Sequence, residues 1–125
     1  MKTVMTKRKR TQKTKRLKAY QPRFSRAVLD ALVEEAIVDC YNESEQATGL
    51  YTMIEDHLKV PFETEVLGVA VTVVAIDITD DDQIVAVCQR GGLRQKLPIL
   101  DLPLPTPRPA SSEWIEAYRH WARGR

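Results

Sequence analysis

The chain has 125 residues, of which 43% are hydrophobic and 29% are charged, and this length and composition suit one domain with its own core. No stretch reaches the roughly 18 apolar residues of a membrane span, and no signal-peptide segment follows the basic N-terminus. Cys40 and Cys88 lack the Cys-x-x-Cys spacing of zinc and redox sites. We therefore expect a soluble, cytoplasmic protein, away from membranes, with both thiols buried.

The net charge of +2 conceals a division along the chain. Residues 1–26 contain eleven basic and no acidic residues, whereas residues 27–125 contain eight basic and seventeen acidic residues, a net charge of −9. The first segment also lacks apolar periodicity, so we predict a disordered basic tail over residues 1–25 and a single domain over residues 26–125.

A basic tail of this kind binds polyanions by releasing counterions, so nucleic acid is one candidate partner. The structural alternatives are a solubilising tail and a segment that folds back onto the acidic domain. The candidate nucleic-acid contacts are Lys7, Arg8, Lys9, Arg10, Lys13, Lys15, Arg16 and Lys18.

Helical patterns occupy the chain from Ser25, a plausible N-cap, to just before Pro61. Asn42 followed by Glu45 has the spacing of a capping box, so a second helix either restarts at Asn42 or continues from the first. Gly49 inside this pattern costs about 1 kcal/mol relative to alanine, and we therefore expect another backbone close to it.

Strand patterns follow Pro61. The segment V-A-V-T-V-V-A-I-D-I, residues 69–78, is rich in β-branched residues that fit a pleated, buried surface. Gly91 and Gly92 can supply the positive φ angles of a tight hairpin. The predicted strands are residues 62–67, 69–78, 83–89 and 93–97, which form either a curled antiparallel sheet or a small barrel.

Five of the seven prolines lie between Leu97 and Ala110, so we predict an extended connector over residues 98–110 that straps across the domain rather than serving as a polyproline ligand. A final helix over residues 111–123 can be capped by Ser111 or Ser112, with acidic residues at its start and basic residues at its end. Its aromatic stripe is better explained as core than as a platform for stacking bases. The stripe consists of Trp114, Ala117, Tyr118 and Trp121.

These patterns predict an α+β fold, with N-terminal helices packed on a small antiparallel β-sheet or barrel and closed by a C-terminal aromatic helix. They also carry a family resemblance. The segments are Val38-Asp39-Cys40-Tyr41-Asn42-Glu43, then Gly49-Leu50-Tyr51, then Pro61-Phe62, and finally the helix that begins Trp114-Ile115-Glu116. Over about residues 34–125 the chain resembles a family of small calcium-binding proteins known from cyanobacteria and other bacteria.

The resemblance implies calcium as the ligand and carries over to Asp39 and Glu43, and less directly to Glu55 and Asp56. Calcium takes six to eight oxygen ligands, so several carboxylates must be supplemented by carbonyls and water. Glu35, Asp39 and Glu43 are spaced four apart and would share one helical face if a single helix ran through them. The second source of carboxylates is the turn Asp80, Asp81 and Asp82.

The aspartate turn does not match an EF-hand. Counted from Asp77, the sixth position is Asp82 instead of glycine and the twelfth is Cys88 instead of glutamate. The two sources of carboxylates together give the candidate metal ligands Asp39, Glu43, Glu35, Asp80, Asp81 and Asp82. Because two or three carboxylates cannot fill this coordination shell, calcium binding should be weak or vestigial.

An enzyme is not expected. His57 and His120 have no metal-ligand spacing with each other or with the cysteines, and the chain contains neither a nucleophile elbow nor a glycine-rich phosphate loop. Two hypotheses remain: a non-enzymatic calcium-binding protein, and a nucleic-acid-associated adaptor that uses the basic N-terminal arm.

Overall fold

The computed structural model describes residues 24–124. The predicted basic tail, apart from its last two residues, and Arg125 lie outside this range, so the nucleic-acid hypothesis stays a prediction. The helices are α1 (Arg26–Ala36), α2 (Glu43–His57) and α3 (Glu113–Arg123), and the strands are β1 (Phe62–Val66), β2 (Val69–Ile78), β3 (Ile84–Arg90) and β4 (Leu93–Pro98), followed by a short 3-10 helix, Ile99–Asp101.

The four strands form one antiparallel sheet in the order β1-β2-β3-β4. Each strand pairs with its neighbour in sequence, and the three hairpins close on the register pairs Val66 with Val69, Ile78 with Ile84, and Arg90 with Leu93. The predicted α+β fold is therefore confirmed, with the open sheet and not the barrel. Because the turns alternate between the two ends of the strands, the β1–β2 and β3–β4 hairpins project from the same end.

One hydrophobic core joins the sheet to the helices. Leu50 and Ile54 of α2 are fully buried against Val73 of β2, Ile84 of β3 and Ile115 of α3. The aromatic stripe of α3 belongs to this core: Trp114, Ala117 and Tyr118 are buried. Trp121 Nε1 donates a hydrogen bond to Gln46 Oε1 of α2 at 3.0 Å. The stripe therefore holds α3 against α2, as the sequence predicts.

The two N-terminal helices begin at the predicted caps. Ser25 Oγ accepts a hydrogen bond from the Val28 amide, and Asn42 Oδ1 accepts one from the Glu45 amide at 2.8 Å. The chain thus follows the restart alternative, with a break between α1 and α2.

Three other details differ from the predictions. Ser112 precedes α3 without a side-chain capping bond, Gly91 alone of the Gly91-Gly92 pair has positive φ, and Cys40 is only half-buried.

Gly49 lies where α2 crosses the end of α1. A Cβ atom built on Gly49 would lie 2.3 Å from the carbonyl oxygen of Ala36, the last residue of α1, and 3.4 Å from Cys40 Sγ. Real Cβ atoms do not approach a carbonyl oxygen so closely, so only glycine lets the two backbones meet. The expected close approach of a second backbone is confirmed, and it fixes the position of the α1–α2 turn.

The proline-rich connector straps across the domain. Thr64 Oγ1 of β1 donates a hydrogen bond to the Pro103 carbonyl at 2.6 Å, and the Lys59 amide donates to the Ala110 carbonyl at 3.2 Å. Arg119 of α3 donates to the carbonyls of Ile99 and Leu102. Within residues 24–124, no helix combines the length and the apolar character needed to cross a bilayer.

Candidate metal site

The turn between α1 and α2 presents two of the predicted carboxylates. α1 ends at Ala36, with Ile37 as its C-cap, and the Cys40 amide closes the turn by donating to the Ile37 carbonyl at 2.9 Å. Asp39 has a φ of 64°, the left-handed conformation that aspartate tolerates better than most residues. Asp39 and Glu43 are both exposed, so their carboxylates flank an open, hydrogen-bonded turn.

The neighbouring acid, Glu45, is used to build the turn. Its Oε1 accepts a hydrogen bond from the Tyr41 amide at 2.6 Å, while its own amide donates to Asn42. This is the reciprocal arrangement of a capping box, displaced by one residue because the glutamate reaches Tyr41 instead of Asn42. Glu43 lies in the first turn of α2, where the unpaired amides of the helix start favour negative charge.

The break between the helices corrects one geometric expectation. Glu35, Asp39 and Glu43 share a face only if one helix runs through all three, but Glu35 lies in α1, Asp39 in the turn and Glu43 in α2. The physical reason is twofold: the Asn42 cap starts a new helix, and Gly49 lets α2 cross the end of α1. The four-residue spacing therefore does not bring the three carboxylates onto one helical face.

The aspartate turn lies between β2 and β3 and is closed by its own hydrogen bonds. The Thr79 hydroxyl donates to Asp81 Oδ1 and accepts from the Gln83 amide, and the Asp82 amide donates to the Thr79 carbonyl at 3.0 Å. Asp82 has a φ of 66°. One of the three carboxylates is thus engaged locally, as in a solvated turn.

No group of three or more His, Cys, Asp or Glu side chains in residues 24–124 is arranged to hold a metal ion. The six predicted ligands are therefore not brought together into one cluster. A cation bound at the α1–α2 turn would take its two carboxylates from Asp39 and Glu43, and the remaining oxygens would be backbone carbonyls and water. Hard carboxylate and carbonyl oxygens are the ligands that suit calcium.

Comparison with known proteins decides the family. The family model described as calcium binding, that of CcbP, matches residues 30–122, about three quarters of the chain. The chain belongs to the CcbP calcium-binding family. The matched region contains the α1–α2 turn, the aspartate turn and the whole sheet, and it confirms the resemblance seen in the sequence over about residues 34–125.

Two solved structures have the CcbP fold. One, the crystal structure of Anabaena CcbP, is 18% identical, with a TM-score of 0.60 over 82% of this chain and 95% of that chain. The other, a calcium-binding protein in the calcium-binding form, is 20% identical, with a TM-score of 0.58 over 78% of this chain and 91% of that chain. No curated protein matches the sequence significantly. At these identities the structures establish the fold that CcbP and this chain share.

In this CcbP relative a third acidic group, which the sequence did not predict as a group, lies around Tyr51, where α2 faces β2. The Tyr51 hydroxyl donates a hydrogen bond to Glu55 Oε2 at 2.7 Å. That bond, together with burial and the negative charges of Glu55 and Asp77, raises the pKa of Tyr51 to about 12. The signal was available in part, because Tyr51 and Glu55 are four apart on a helix.

Asp77 of this group is already partnered. Its carboxylate accepts a hydrogen bond from Lys96 Nζ of β4 at 3.1 Å and one from the Ile78 amide at 2.8 Å. The Lys96 hydrogen bond is the largest cause that lowers the pKa of Asp77, followed by the Ile78 amide and the Lys96 charge. The Asp77 carboxylate therefore links β2 to Lys96 of β4 within the sheet, and it is a weaker candidate for a metal ligand than Asp39.

Asp77→Asn should remove a pH-dependent part of the stability. Because the folded pKa of Asp77 lies below its ordinary value of 3.8, the carboxylate stabilises the fold above that pH, and this contribution disappears as the pH falls through the folded pKa. Urea unfolding of the wild type and the variant at several pH values should show two curves that converge in acid. The effect should be small because both side chains are about half exposed.

The matched control is Lys96→Met, which removes the partner. It should reproduce the same convergence in acid, and the double variant should lose less than the sum of the two single losses. If the stability losses of the two single variants add fully at neutral pH, the Asp77–Lys96 pair contributes nothing to stability.

Proposed function

We propose that this protein is a non-enzymatic, weak calcium-binding protein whose site is the α1–α2 turn, with Asp39 and Glu43 as its carboxylate ligands. The observation that carries the proposal is that the calcium-binding family model covers this turn, which presents two exposed carboxylates, one of them on Asp39 in the left-handed conformation. Glu35 and the aspartate turn, Asp80, Asp81 and Asp82, would act at longer range by raising the local cation concentration.

Weak binding follows from the number of ligands. Tight EF-hand sites use several carboxylates, one of them bidentate, whereas this turn supplies two and no three-residue cluster exists in residues 24–124. Water must complete the coordination shell. The net charge of −9 on residues 27–125 attracts cations without selecting among them, so geometry at the turn has to provide the preference for calcium over magnesium.

The surroundings of the reactive side chains support a role without catalysis. The His57 ring stacks on Trp114 with 5.8 Å between ring centroids, and His120 Nε2 contacts Asp30 Oδ1 at 2.6 Å. Burial raises the pKa of the Cys88 thiol, which reduces its thiolate fraction and hence its nucleophilicity. Each group has a structural explanation.

Calcium should raise the thermal stability of the wild type, and Asp39→Asn should abolish the increase. Ligand binding to the folded state stabilises by RT ln(1 + [calcium]/Kd), about 1.4 kcal/mol at ten times the dissociation constant. We expect Glu43→Gln to remove most of the shift as well. The measurement is thermal unfolding by circular dichroism, with calcium varied at constant ionic strength.

The matched controls are Asp81→Asn and Glu35→Gln, which remove the same charge elsewhere on the acidic surface. Both should retain most of the calcium shift. A shift that is lost in Asp81→Asn and kept in Asp39→Asn would place the site at the aspartate turn. If magnesium raises the melting temperature as much as calcium does, or if millimolar calcium does not raise it at all, the turn is not a specific calcium site.

A further inference from the structure

The two hairpins that project from one end of the sheet enclose an open apolar groove of about 440 Å³. It is lined by Val66, Val71, Cys88 and Leu97, with Leu67, Val69 and Leu93 at its rim. Val66, Val71 and Leu97 also pack against the core, and Cys88 belongs to it. The groove is therefore an open extension of the core on the face of the sheet that the helices cover elsewhere.

The rim of the groove is unusually exposed for apolar residues. Leu67 is 98% exposed, Leu93 77% and Val69 41%. Single exposed apolar residues are ordinary, but a contiguous apolar surface that joins the core is typical of an interaction site. β4 lies beside this groove and is the last strand of the sheet, so one edge of its backbone is available to pair with a further strand.

The β3–β4 hairpin, on one side of the groove, carries a charge opposite to that of the rest of the domain. Residues 83–100 contain three basic residues, Arg90, Arg94 and Lys96, and no acidic residue. The remainder of residues 27–125 contains five basic and seventeen acidic residues. Arg90 Nη1 donates to the Ala70 carbonyl and Arg94 Nε donates to Gln89 Oε1. Among residues 24–124, neither arginine forms an ion pair.

We propose that this groove is a docking surface for an extended, acidic segment of a partner protein, which lies along β4 with apolar side chains in the groove and carboxylates beside Arg94, on the opposite face of the sheet. Apolar and acidic side chains alternate in such a segment, because successive residues of a strand face opposite ways. Charge complementarity selects this occupant: the positive hairpin repels the chain's own basic tail and attracts an acidic strand.

Nucleic acid fits the groove less well. Among residues 24–124, no aromatic side chain lines the groove, whereas single-stranded nucleic acid is usually held by stacking bases on aromatic side chains. The arginines are also too few to follow a phosphate backbone. A second copy of the chain is a further alternative, because its acidic surface could face the positive hairpin, and that case would make self-association depend on concentration.

The test uses the full chain and a short, end-blocked, fluorescently labelled peptide of alternating glutamate and valine as the probe. Fluorescence anisotropy should show binding that Arg94→Glu weakens about tenfold or more. Leu67→Ser should also weaken it, because the side chain at the rim is lost. Arg123→Glu, which changes the charge equally on α3 outside the groove, should have a small effect. A peptide with lysine in place of glutamate should not compete.

Amide chemical shifts separate the groove from the basic tail, which also attracts acidic peptides. The proposal requires shifts in β4 and around Leu67 when the peptide is added. Shifts confined to residues 1–25, equal weakening by Arg123→Glu and Arg94→Glu, or no binding would overturn it. An oligonucleotide whose affinity falls with Arg94→Glu, while the affinity of the peptide does not, would also overturn the proposal. The same holds if sedimentation shows a dimer that Arg94→Glu dissociates in the absence of peptide.

Discussion

Gly49→Ala should destabilise the protein by about 2 to 3 kcal/mol, although alanine is the better helix former. Helix propensity alone predicts a gain of about 1 kcal/mol. The new Cβ would lie 2.3 Å from the Ala36 carbonyl oxygen, and overpacking of this kind costs about 1 to 3 kcal/mol or more. The obstacle is a backbone carbonyl and not a flexible side chain, so we expect the steric cost to exceed the gain in helix propensity. The melting temperature should fall by roughly 10 °C.

The control is Gly92→Ala, because a Cβ there would meet nothing within 4 Å. It should change the melting temperature by no more than a degree or two. A stability of Gly49→Ala equal to or above that of the wild type would show that α1 and α2 do not cross at this glycine. The variant should also weaken calcium binding, because α1 must move and carry the Asp39 turn with it.

Arg119→Met should destabilise the protein by about 3 kcal/mol. Arg119 donates to the carbonyls of Ile99 and Leu102 and lies 3.9 Å from the buried carboxylate of Glu116. Arg108 also pairs with Glu116. Removing one member of a buried ionic group leaves the others without full compensation, which costs about 3 to 5 kcal/mol. The retained Arg108 partner should keep the loss near the lower end.

Arg123→Met is the matched control, since Arg123 lies on the same helix and is exposed. Urea unfolding should show little change for this variant. An Arg119→Met protein with wild-type stability would mean that the connector is held by its prolines and apolar contacts, and that the guanidinium is dispensable.

The fold could be predicted from sequence because local and global signals agree. β2 has the predicted bounds, Val69–Ile78, since its β-branched run favours a strand. The restart at Asn42 was one of two alternatives, and the sequence could not choose between them, because the decisive contact joins Gly49 to Ala36 in space. Arg119 and Glu116 were interpreted from helix ends, since nothing in the sequence shows that a connector of prolines would bring their partners to them.

The site was less predictable for the same reason. Asp39 and Glu43 came from the family resemblance, and their grouping with Glu35 required one continuous helix. The break of six residues between α1 and α2 changes which of the three can meet. The grouping of Glu55 and Asp77 around Tyr51 was not predicted because the two carboxylates lie on different elements, α2 and β2. Carboxylates that come together across elements depend on packing, which one sequence does not reveal.

Amide chemical shifts of the full chain during a calcium titration test the central claim most directly. We expect the shifts to begin around Asp39 and Glu43, to saturate with a weak dissociation constant, and to disappear in Asp39→Asn while persisting in Asp81→Asn. Shifts centred on Asp80, Asp81 and Asp82, or shifts that magnesium reproduces at equal concentration, would contradict it.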